Sequence, residues 1–431
     1  MDARDPERPN FSLTQASEIA RNLFDILDSI KEIKELPSYL DRNFHITLES
    51  GQEYVLKISA VSEEYETLDM QNCAMRHLAA NIEGHSSTVV HKSRNGVEIE
   101  RVEDKESNQH YVRLLSFLPG KVLSQVNPHA SDMLVDFGRF IGSISKAFIS
   151  FDHSAAHREF RWDLKRASTV IRDYSKHTTD SNKQKLVSYF LELFETLVLP
   201  PIDYLRSSVI HNDANDNNII VSNPHDENRR SFGILDFGDM IHSCTINELA
   251  IAIAYAILGK ADPISVAQEI TSGYHSVFPI SELELELLFP LICARLVTSA
   301  SISAYQKTLE PDNEYLVISE APAWQVLSHL RNIPPRYFTY CLRSSVGLEP
   351  CPSSAEVKEW IANNSNKFAS PIGKSLDESN SVIVDLSVGS TDIASPLQLA
   401  DFKTFSEMLS RKLTEADVAV GIGRYNEPRL V

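Results

Sequence analysis

Two short polar runs, each bordered by an apolar stretch, constrain this sequence more than any other feature. The first run, His211 to Asn218, fits the pattern H-x-D-x-x-x-x-N, and the second, Asp236 to Asp239, has the sequence D-F-G-D. Apolar stretches at 218–221 and 232–235 predict short strands beside them. Because loops at the ends of neighbouring strands can aim their side chains at one point, we expect both runs to form a single polar site.

The side chains in these runs are the ones that phosphoryl transfer needs. Asp213 is the predicted general base, because a carboxylate can accept the proton of an attacking hydroxyl and hold its oxygen in line. Asn218 and Asp236 offer oxygen ligands for Mg²⁺. Asp239 is left open between a residue that orients the site and a simple turn residue. An acidic turn between two strands is the alternative for the whole segment.

Length and charge narrow the class of protein. A chain of 431 residues is long for one compact unit and favours two lobes. With 41 basic and 59 acidic residues, the formal net charge of −18 argues against a general binder of nucleic acids or anionic membranes. A single nucleotide can still bind, since backbone amides, one lysine and magnesium are enough to neutralise its phosphates.

Cysteine usage and hydropathy indicate a cytoplasmic protein. The five cysteines are scattered, with no C-x-x-C pair that would suggest a disulfide framework or a zinc site. The N-terminal residues are charged and contain no apolar signal core. The apolar stretch from Leu249 to Leu258 is too short to span a bilayer and predicts a buried helix.

The first 115 residues predict a small α+β lobe, because helical and alternating patterns succeed each other there. The predicted elements are a helix at 12–35 that begins with a Ser12/Gln15 capping box, a β-hairpin at 44–58, a helix at 63–82, and strands near 87–101 and 110–117.

Lys57 lies on the second strand of the predicted hairpin, on the face opposite the apolar residues. Its position before a helix rich in acids predicts that it binds nucleotide phosphates. Asp69 and Glu66 of that helix both remain candidates for its acidic partner. No glycine-rich loop precedes Lys57, so we expect the turn at 41–44 to cover the phosphates. The absence of such a loop argues against an ordinary protein kinase.

Helices dominate beyond Leu118-Pro119-Gly120. They are predicted at 130–149, 163–175, 182–197, 246–258, 263–275 and 284–307, with a β segment at 209–240, a linker at 363–381 and one amphipathic helix near 398–413. This pattern predicts an N-lobe at 1–115, a helical C-lobe with the catalytic loop at 116–362, and at 363–431 the linker and the start of a further module.

Other polar residues near the motifs have less specific roles. His211 is expected to be structural and to hydrogen-bond the catalytic loop. Glu248 either caps the helix that follows the second motif or braces that loop. Acidic residues of the loops, including Asp216, either attract a substrate ammonium or simply face solvent in a turn. For Arg295, Tyr305 and Trp324, packing is favoured over substrate contact.

Seven segments together make the chain resemble the aminoglycoside phosphotransferase / choline kinase-like superfamily, and within it the hydroxylysine kinases. The resemblance implies a bilobal protein-kinase-like fold with a small β-rich N-lobe and a mainly helical C-lobe. It also implies ATP or GTP as co-substrate with Mg²⁺, and transfer to a small amine that carries a hydroxyl, such as a 5-hydroxylysine- or ethanolamine-like acceptor. The segments are 38–45, 54–58, 68–71, 115–120, 161–164, 211–218 and 234–239.

Family roles then map onto Lys57 for phosphate, Asp213 as base, and Asn218 with Asp236 for Mg²⁺. The segment from Leu115 to Leu118, with Phe117, maps onto the hinge that meets the nucleobase. Asp69 stands where the family more usually has glutamate, which leaves the partner of Lys57 open.

The same resemblance leaves three alternative functions open. It also suggests that further modules follow the kinase. An antibiotic phosphotransferase of the aminoglycoside type and a homoserine phosphotransferase differ only in the acceptor. A regulatory pseudokinase would bind without turnover. Residues 423–431 resemble the lead-in to bacterial fusions in which peptidase-like and class III aminotransferase-like modules follow the kinase.

Overall fold

The computed structural model describes residues 8–24, 26, 28–38, 40–223, 230–309, 320–350, 419–422 and 428–430. The chain divides into two compact units, Met1–Ile333 and Pro334–Val431. The first unit holds the whole predicted N-lobe and most of the predicted C-lobe. The predicted boundary at residue 362, the linker and the helix near 398–413 lie outside the described residues.

The described strands and helices follow the predicted order of a β-rich region and then a helical one. The strands are β1 Ile30–Leu36, β2 Arg42–Leu48, β3 Glu53–Ile58, β4 Val90–His91, β5 Glu100–Glu103, β6 Gln109–Ser116, β7 Lys121–Val122, β8 Ser207–Ile210, β9 Ile219–Ser222, β10 Ser231–Ile234, β11 Ile241–Cys244, β12 Ala419–Ile422 and β13 Pro428–Leu430. The helices are α1 Leu13–Leu23, α2 Tyr65–Asn81, α3 Ser131–Phe148, α4 Ala167–Tyr174, α5 Ser181–Leu197, α6 Ile246–Ala256, α7 Pro263–Val277, α8 Glu282–Leu309, α9 Glu320–Leu330 and α10 Pro335–Ser345. In the second unit, β12 and β13 form an antiparallel pair.

The N-terminal region is an antiparallel sheet in the order β1-β2-β3-β6-β4, with β5 pairing β6. Alternate residues of its strands, including Phe44, Leu56 and Leu114, are fully buried against α1. Lys57 and Arg113 project from the opposite face, and the Arg113 guanidinium bonds to α2. The sheet therefore has one face that is mainly apolar and packs against α1, and one face that carries Lys57 and Arg113.

The predicted helix at 12–35 is wrong in its second half. The Ser12/Gln15 capping box forms as predicted, but α1 ends at Leu23, and Ile30–Leu36 is a strand. Apolar residues at Ile30 and Ile33 have helical spacing, yet the segment pairs with β2 through a register irregularity near Ile30. Pairing at the edge of a sheet satisfies the backbone of the segment, so tertiary context overrides the local period.

The helical region is built around α6 and α8. Every residue of α6 is buried, as expected for the apolar stretch that includes it. By length and composition α8 could cross a membrane, but 89% of its most apolar window is buried inside the protein, as in a core helix. This helix carries Arg295 in its buried part. The helices α9 and α10 were not predicted.

Helices α3 and α7 cross at glycines. A Cβ added to Gly138 would lie 2.0 Å from the Ile270 carbonyl oxygen, and one added to Gly273 would lie 2.0 Å from the Val135 carbonyl oxygen. Such distances are far below van der Waals contact, so each glycine permits a backbone approach that no other residue allows. The two helices therefore depend on these glycines for their separation.

We predict that Gly138→Ala lowers the free energy of unfolding by about 1–3 kcal/mol or more, because overpacking at the crossing outweighs the better helix propensity of alanine. Urea unfolding followed by circular dichroism measures the change. Lys146→Ala, on the exposed side of the same helix, is the matched control and is expected to change stability by less than about 0.5 kcal/mol. Equal stability of the glycine variant and the wild type would contradict this account of the crossing.

Candidate active site

Two antiparallel strand pairs bring the two motifs together. The first motif connects β8 to β9 and the second connects β10 to β11, while β8 pairs with β11 and β9 with β10. Both loops therefore leave the same end of these strands. The loops are joined directly, because the Leu235 amide donates to the Asn218 carbonyl at 2.8 Å and His211 Nε2 lies 2.9 Å from the Leu235 carbonyl.

The Asp213 carboxylate is held by three side chains. Arg295 Nη2 donates to its Oδ1 at 2.9 Å, while Asn215 Nδ2 and Asn218 Nδ2 donate to its Oδ2 at 2.9 and 2.7 Å. Burial raises the pKa of the Asp213 carboxyl to about 6, although the Arg295 charge opposes the increase. A carboxylate that is fixed in place and has a pKa near neutrality suits a general base.

Arg295 makes a contact that the sequence did not indicate, since packing was the favoured interpretation and its guanidinium also bonds the Asp213 carboxylate. Its guanidinium is 2% exposed and lies between the rings of Trp162 and Tyr255, at 4.8 and 5.5 Å from their centres. No local pattern connects a helix residue at 295 with a loop residue at 213. By contrast, Tyr305 packs against Tyr174 and His177, and Trp324 bonds Glu320, which agrees with the packing roles expected for both.

Asn218 and Asp236 have the donor set that a hard cation requires. Asn218 donates its amide hydrogens to the Asp213 backbone and side chain, so its own carbonyl oxygen is the atom left as a ligand. The Asp236 side chain is 60% exposed and has a lowered pKa, chiefly because of the Lys57 charge. Asp236 adopts a left-handed backbone at φ 56°, which is uncommon outside glycine and marks a constrained site. The oxygen ligands available here fit Mg²⁺.

Lys57 reaches the same place from the N-terminal sheet, and its contacts correct the predicted pairing. Its Nζ lies 3.6 Å from Asp41 Oδ2 and 3.7 Å from Asp236 Oδ1. Among the described ion pairs it has none with Asp69 or Glu66. Asp69 instead lies 3.3 Å from His153 Nε2, because its side chain leaves α2 toward the 3₁₀ turn after α3.

Asp69, Cys73 and His153 are grouped closely enough to suggest a metal site, but the histidine argues against one. Its Nδ1 already accepts the Ala155 amide, so Nε2 carries the proton and donates to Asp69. The cofactor-binding role predicted for Asp69 has no geometric support in this arrangement.

The predicted turn at 41–44 is also displaced. Arg42 already begins β2, so the connection from β1 lies before it, and Asp41 faces Lys57. The Asp41 carboxylate additionally accepts the Ala60 amide at 3.2 Å. The turn and the end of β3 are thereby tied together beside Lys57.

The predicted hinge is the end of β6. Leu115 is buried, and the Phe117 ring stacks on His45 with ring centres 4.2 Å apart. The Phe117 amide donates to the Glu53 carbonyl at 3.2 Å, and the Ser116 amide donates to the Val89 carbonyl at 2.9 Å. These bonds fix the segment from both sides.

Asp239 is more than a turn residue. Burial, together with the charges of Asp213 and Asp236, raises the pKa of its carboxyl to about 8. Arg158, which the sequence did not indicate, donates to the Gly238 and Met240 carbonyls at 2.6 and 3.2 Å and so holds the loop around Asp239. The loops thus bring together acidic groups that disfavour one another's ionisation.

Glu248 braces the catalytic loop from α6. Its Oε2 accepts the amides of His211 and Asn212 at 2.6 and 3.3 Å, which resolves the two roles left open by the sequence. Burial raises the pKa of the Glu248 carboxyl to about 7. His211 is fully buried with its pKa lowered to about 4, so at neutral pH it is an uncharged scaffold residue.

Asp216, the other acid of the loop, faces away from this group of residues. Its pKa is raised by burial, and the charge that acts on it is Lys260. Its backbone carbonyl accepts the Ser124 amide at 2.9 Å. These contacts give it a structural role at the base of the loop.

Comparisons with known proteins agree with this geometry. Residues 32–285 match the family described as "Phosphotransferase enzyme family". Hydroxylysine kinase from Mus musculus is 32% identical over 342 residues, which cover 75% of this chain and 90% of that relative.

Two solved structures share the fold. A microcompartment-associated aminopropanol kinase has a TM-score of 0.56 at 14% identity, covering 78% of this chain and 99% of that one. An amicoumacin kinase in complex with AMP-PNP and Ca²⁺ has a TM-score of 0.55 at 13% identity, covering 74% and 94%. The predicted bilobal kinase-like fold is confirmed.

We predict that Arg295→Met moves the acid limb of the kcat/KM profile to higher pH. Asp213 must be ionised to accept a proton, so the wild type should gain activity as pH rises through about 6. Removal of the adjacent cation raises the pKa of Asp213 further. The apparent pKa of this acid limb reports Asp213 and Asp239 together, since the ionisations of the two groups interact. Arg295→Lys keeps the charge and should shift the acid limb less. If the acid limb of Arg295→Met lay at the wild-type pH, the assignment of this limb to Asp213 would be contradicted.

We predict that Glu248→Gln flattens the pH dependence of stability. Because the folded pKa of Glu248 is raised, the folded state binds the extra proton between about pH 4.5 and 7, and stability falls as pH rises through that window. The neutral glutamine still offers an acceptor to the loop amides but does not titrate. Unfolding free energies at pH 5 and 7.5 should differ less in the variant, by about 2 kcal/mol. Parallel curves for the two proteins would show that Glu248 does not titrate in this way.

Proposed function

Because this chain belongs to the phosphotransferase enzyme family, we propose that it transfers the γ-phosphoryl group of a nucleoside triphosphate to the hydroxyl of a small amino alcohol or hydroxylated amino acid. The family, and the relatives that match three quarters of the chain, show that the protein is a small-molecule kinase with a hydroxyl acceptor. The acceptor, the metal and the nucleotide are the proposed parts.

The proposed mechanism depends on the Asp213 carboxylate, which three side chains hold in place. A hydroxyl that approaches it loses its proton to Oδ1 or Oδ2 as its oxygen forms a bond to the γ-phosphorus. The bond from that phosphorus to the bridging oxygen breaks, and the nucleoside diphosphate leaves with the electron pair. Arg295 and Asn215 hold the base through this change, which limits the reorganisation that the reaction needs.

Asn218 and Asp236 are the residues that would hold Mg²⁺. Bound there, the ion would neutralise the charge of the phosphates and of the transferred group. Lys57 supplies a second positive charge from the opposite side, at 3.7 Å from Asp236. ATP and GTP are both compatible with a hinge that presents backbone groups, and the amicoumacin kinase with a fold like this one binds AMP-PNP.

Two observations support an amine acceptor. The relative from mouse is a hydroxylysine kinase, so a 5-hydroxylysine-like acceptor is the first candidate and an ethanolamine-like one the second. In addition, Asp239 is a carboxyl whose ionisation is disfavoured by its acidic neighbours. A substrate ammonium beside it would favour its ionised form, and this would couple acceptor binding to proton release.

The rival functions fit less well. Antibiotic and homoserine phosphotransferases use the same machinery, but the relatives at about 30% identity are hydroxylysine kinases. A pseudokinase usually lacks at least one residue of the phosphoryl-transfer set, whereas Lys57, Asp213, Asn218 and Asp236 converge here.

We also propose a cytoplasmic location and further modules downstream of the kinase. Reduced thiols support the first: the cysteines among the described residues are free. The resemblance of residues 423–431 to the lead-in of peptidase-like and aminotransferase-like modules supports the second. Sequencing the gene beyond codon 431 tests the latter, and a stop codon there would contradict it.

We predict that Asp213→Asn lowers kcat by about 100-fold to 10,000-fold, because the amide cannot accept the proton. Nucleotide consumption coupled to a panel of amino alcohols, 5-hydroxylysine, homoserine and aminoglycosides measures it, with ATP and GTP in parallel and Mg²⁺ present. Asp173→Asn, an exposed acid of α4, is the matched control and should keep wild-type activity. Wild-type turnover no greater than that of the asparagine variant with every acceptor would contradict the enzyme, and turnover only with aminoglycosides or homoserine would contradict the proposed acceptor.

A further inference from the structure

Arg113 is a second cation beside the phosphate-binding lysine. It lies on β6 directly opposite Lys57 on β3, and cross-strand partners project from the same face of a sheet. Its side chain is among the largest that are fully buried, with 1% exposure. The charged face of the N-terminal sheet thus carries two adjacent positive charges, of which only Lys57 reaches the catalytic loops.

The direct partners of Arg113 are neutral. Its Nη1 donates to Asn72 Oδ1 and its Nη2 donates to Gln71 Oε1, both at 2.8 Å. Its buried Nε has no hydrogen-bond partner within the described part of the chain. Because a buried guanidinium is costly without a carboxylate, an arginine bonded only to amides is an unusual choice for a purely structural link.

Two of the three acids that act on the Arg113 charge already contact Lys57. Asp41, Glu63 and Asp236 influence its charge from a distance, but none forms an ion pair with it among the described residues. Asp41 and Asp236 lie against Lys57 instead. A cation at Asp236 would draw that carboxylate away from both basic residues. The pair Lys57–Arg113 would then carry excess positive charge at the place where phosphates are expected.

We propose that Arg113 is a positioning residue for the nucleoside triphosphate, which anchors α2 to the strand beside Lys57 and adds a buried positive charge that acts on the phosphates. The proposal rests on the proposed function, because it requires a nucleotide in this cleft. This role of Arg113 explains why α2 supplies no acidic partner for Lys57. The amide side chains of α2 hold Arg113, so Lys57 remains available to Asp236 and to phosphate.

The test compares binding of adenosine, ADP and ATP with Mg²⁺ by calorimetry, without acceptor. Arg113→Gln removes the charge but can still hydrogen-bond to α2, and it should weaken ATP binding by about tenfold, ADP binding by less, and adenosine binding not measurably. Arg113→Lys retains the charge and should restore most of the ATP affinity. In turnover, the glutamine variant should raise KM for ATP more than it lowers kcat.

Two further variants separate charge from packing. Gln71→Met keeps the Arg113 charge and removes one of its acceptors, so it should lower the melting temperature without changing the preference for ATP over adenosine. Arg101→Met removes an exposed arginine of β5 and should leave all three affinities unchanged. If Arg113→Gln does not fold, Arg113→Lys and Gln71→Met still test the proposal. Both variants keep the positive charge at position 113, so both must retain the wild-type preference for ATP over adenosine.

The proposal would be overturned if Arg113→Gln lowered the affinities for adenosine, ADP and ATP equally. It would also be overturned if Arg113→Lys showed no preference for ATP, and Arg113 would then be only a brace of α2. A wild-type protein that does not bind ATP with Mg²⁺ would overturn both this inference and the proposed function. Wild-type binding together with equal weakening of all three ligands would contradict the inference alone.

Discussion

The compensation of negative charge around the two catalytic loops is the constraint on which the rest of the site depends. Asp213, Asp236, Asp239 and Glu248 lie on or against a segment of under forty residues, and burial raises the pKa of three of them. Such a group is stable only where cations and amides meet it with good geometry. The cations come from separate elements: Arg295 from α8, Lys57 from β3, and Arg158 from the loop after α3.

This compensation also explains the architecture of the helical region. Helix α6 is buried along its whole length and carries Glu248 to the backbone of the loop, and α8 is a core helix that places Arg295 against the base. Two apolar helices thus deliver one anion and one cation to a small β-structure. The apolar surroundings strengthen these electrostatic contacts, since water is excluded from them. The contacts that hold Asp213 and the catalytic loop are therefore also contacts that pack the helical region.

The N-terminal sheet places its own cations by a different arrangement. One face is sealed by α1, and the other presents Lys57 and Arg113, with α2 held through neutral amides. Asp69, on the helix expected to supply the partner of Lys57, turns instead to His153. The acid that contacts Lys57 is Asp41, in the turn just before β2, which no helical spacing could have indicated.

Local pattern was enough to predict that the two loops form one polar site, and it also predicted the hairpin of β2 and β3 and most helices of the C-terminal lobe. These features depend on residues close together in the chain, where the periodicity of apolar side chains and the order of polar ones are directly legible. Local pattern failed at Ile30–Leu36, where an edge strand pairs with a neighbour despite helical spacing. Local pattern also failed to indicate which cations pair with the acids of the loops. Arg295, for example, lies 82 positions from Asp213, the acid that it contacts. The sequence by itself determined which polar groups the two loops carry, and only the tertiary structure decided which distant cations and acids hold them, since charge compensation depends on how helices and sheet pack.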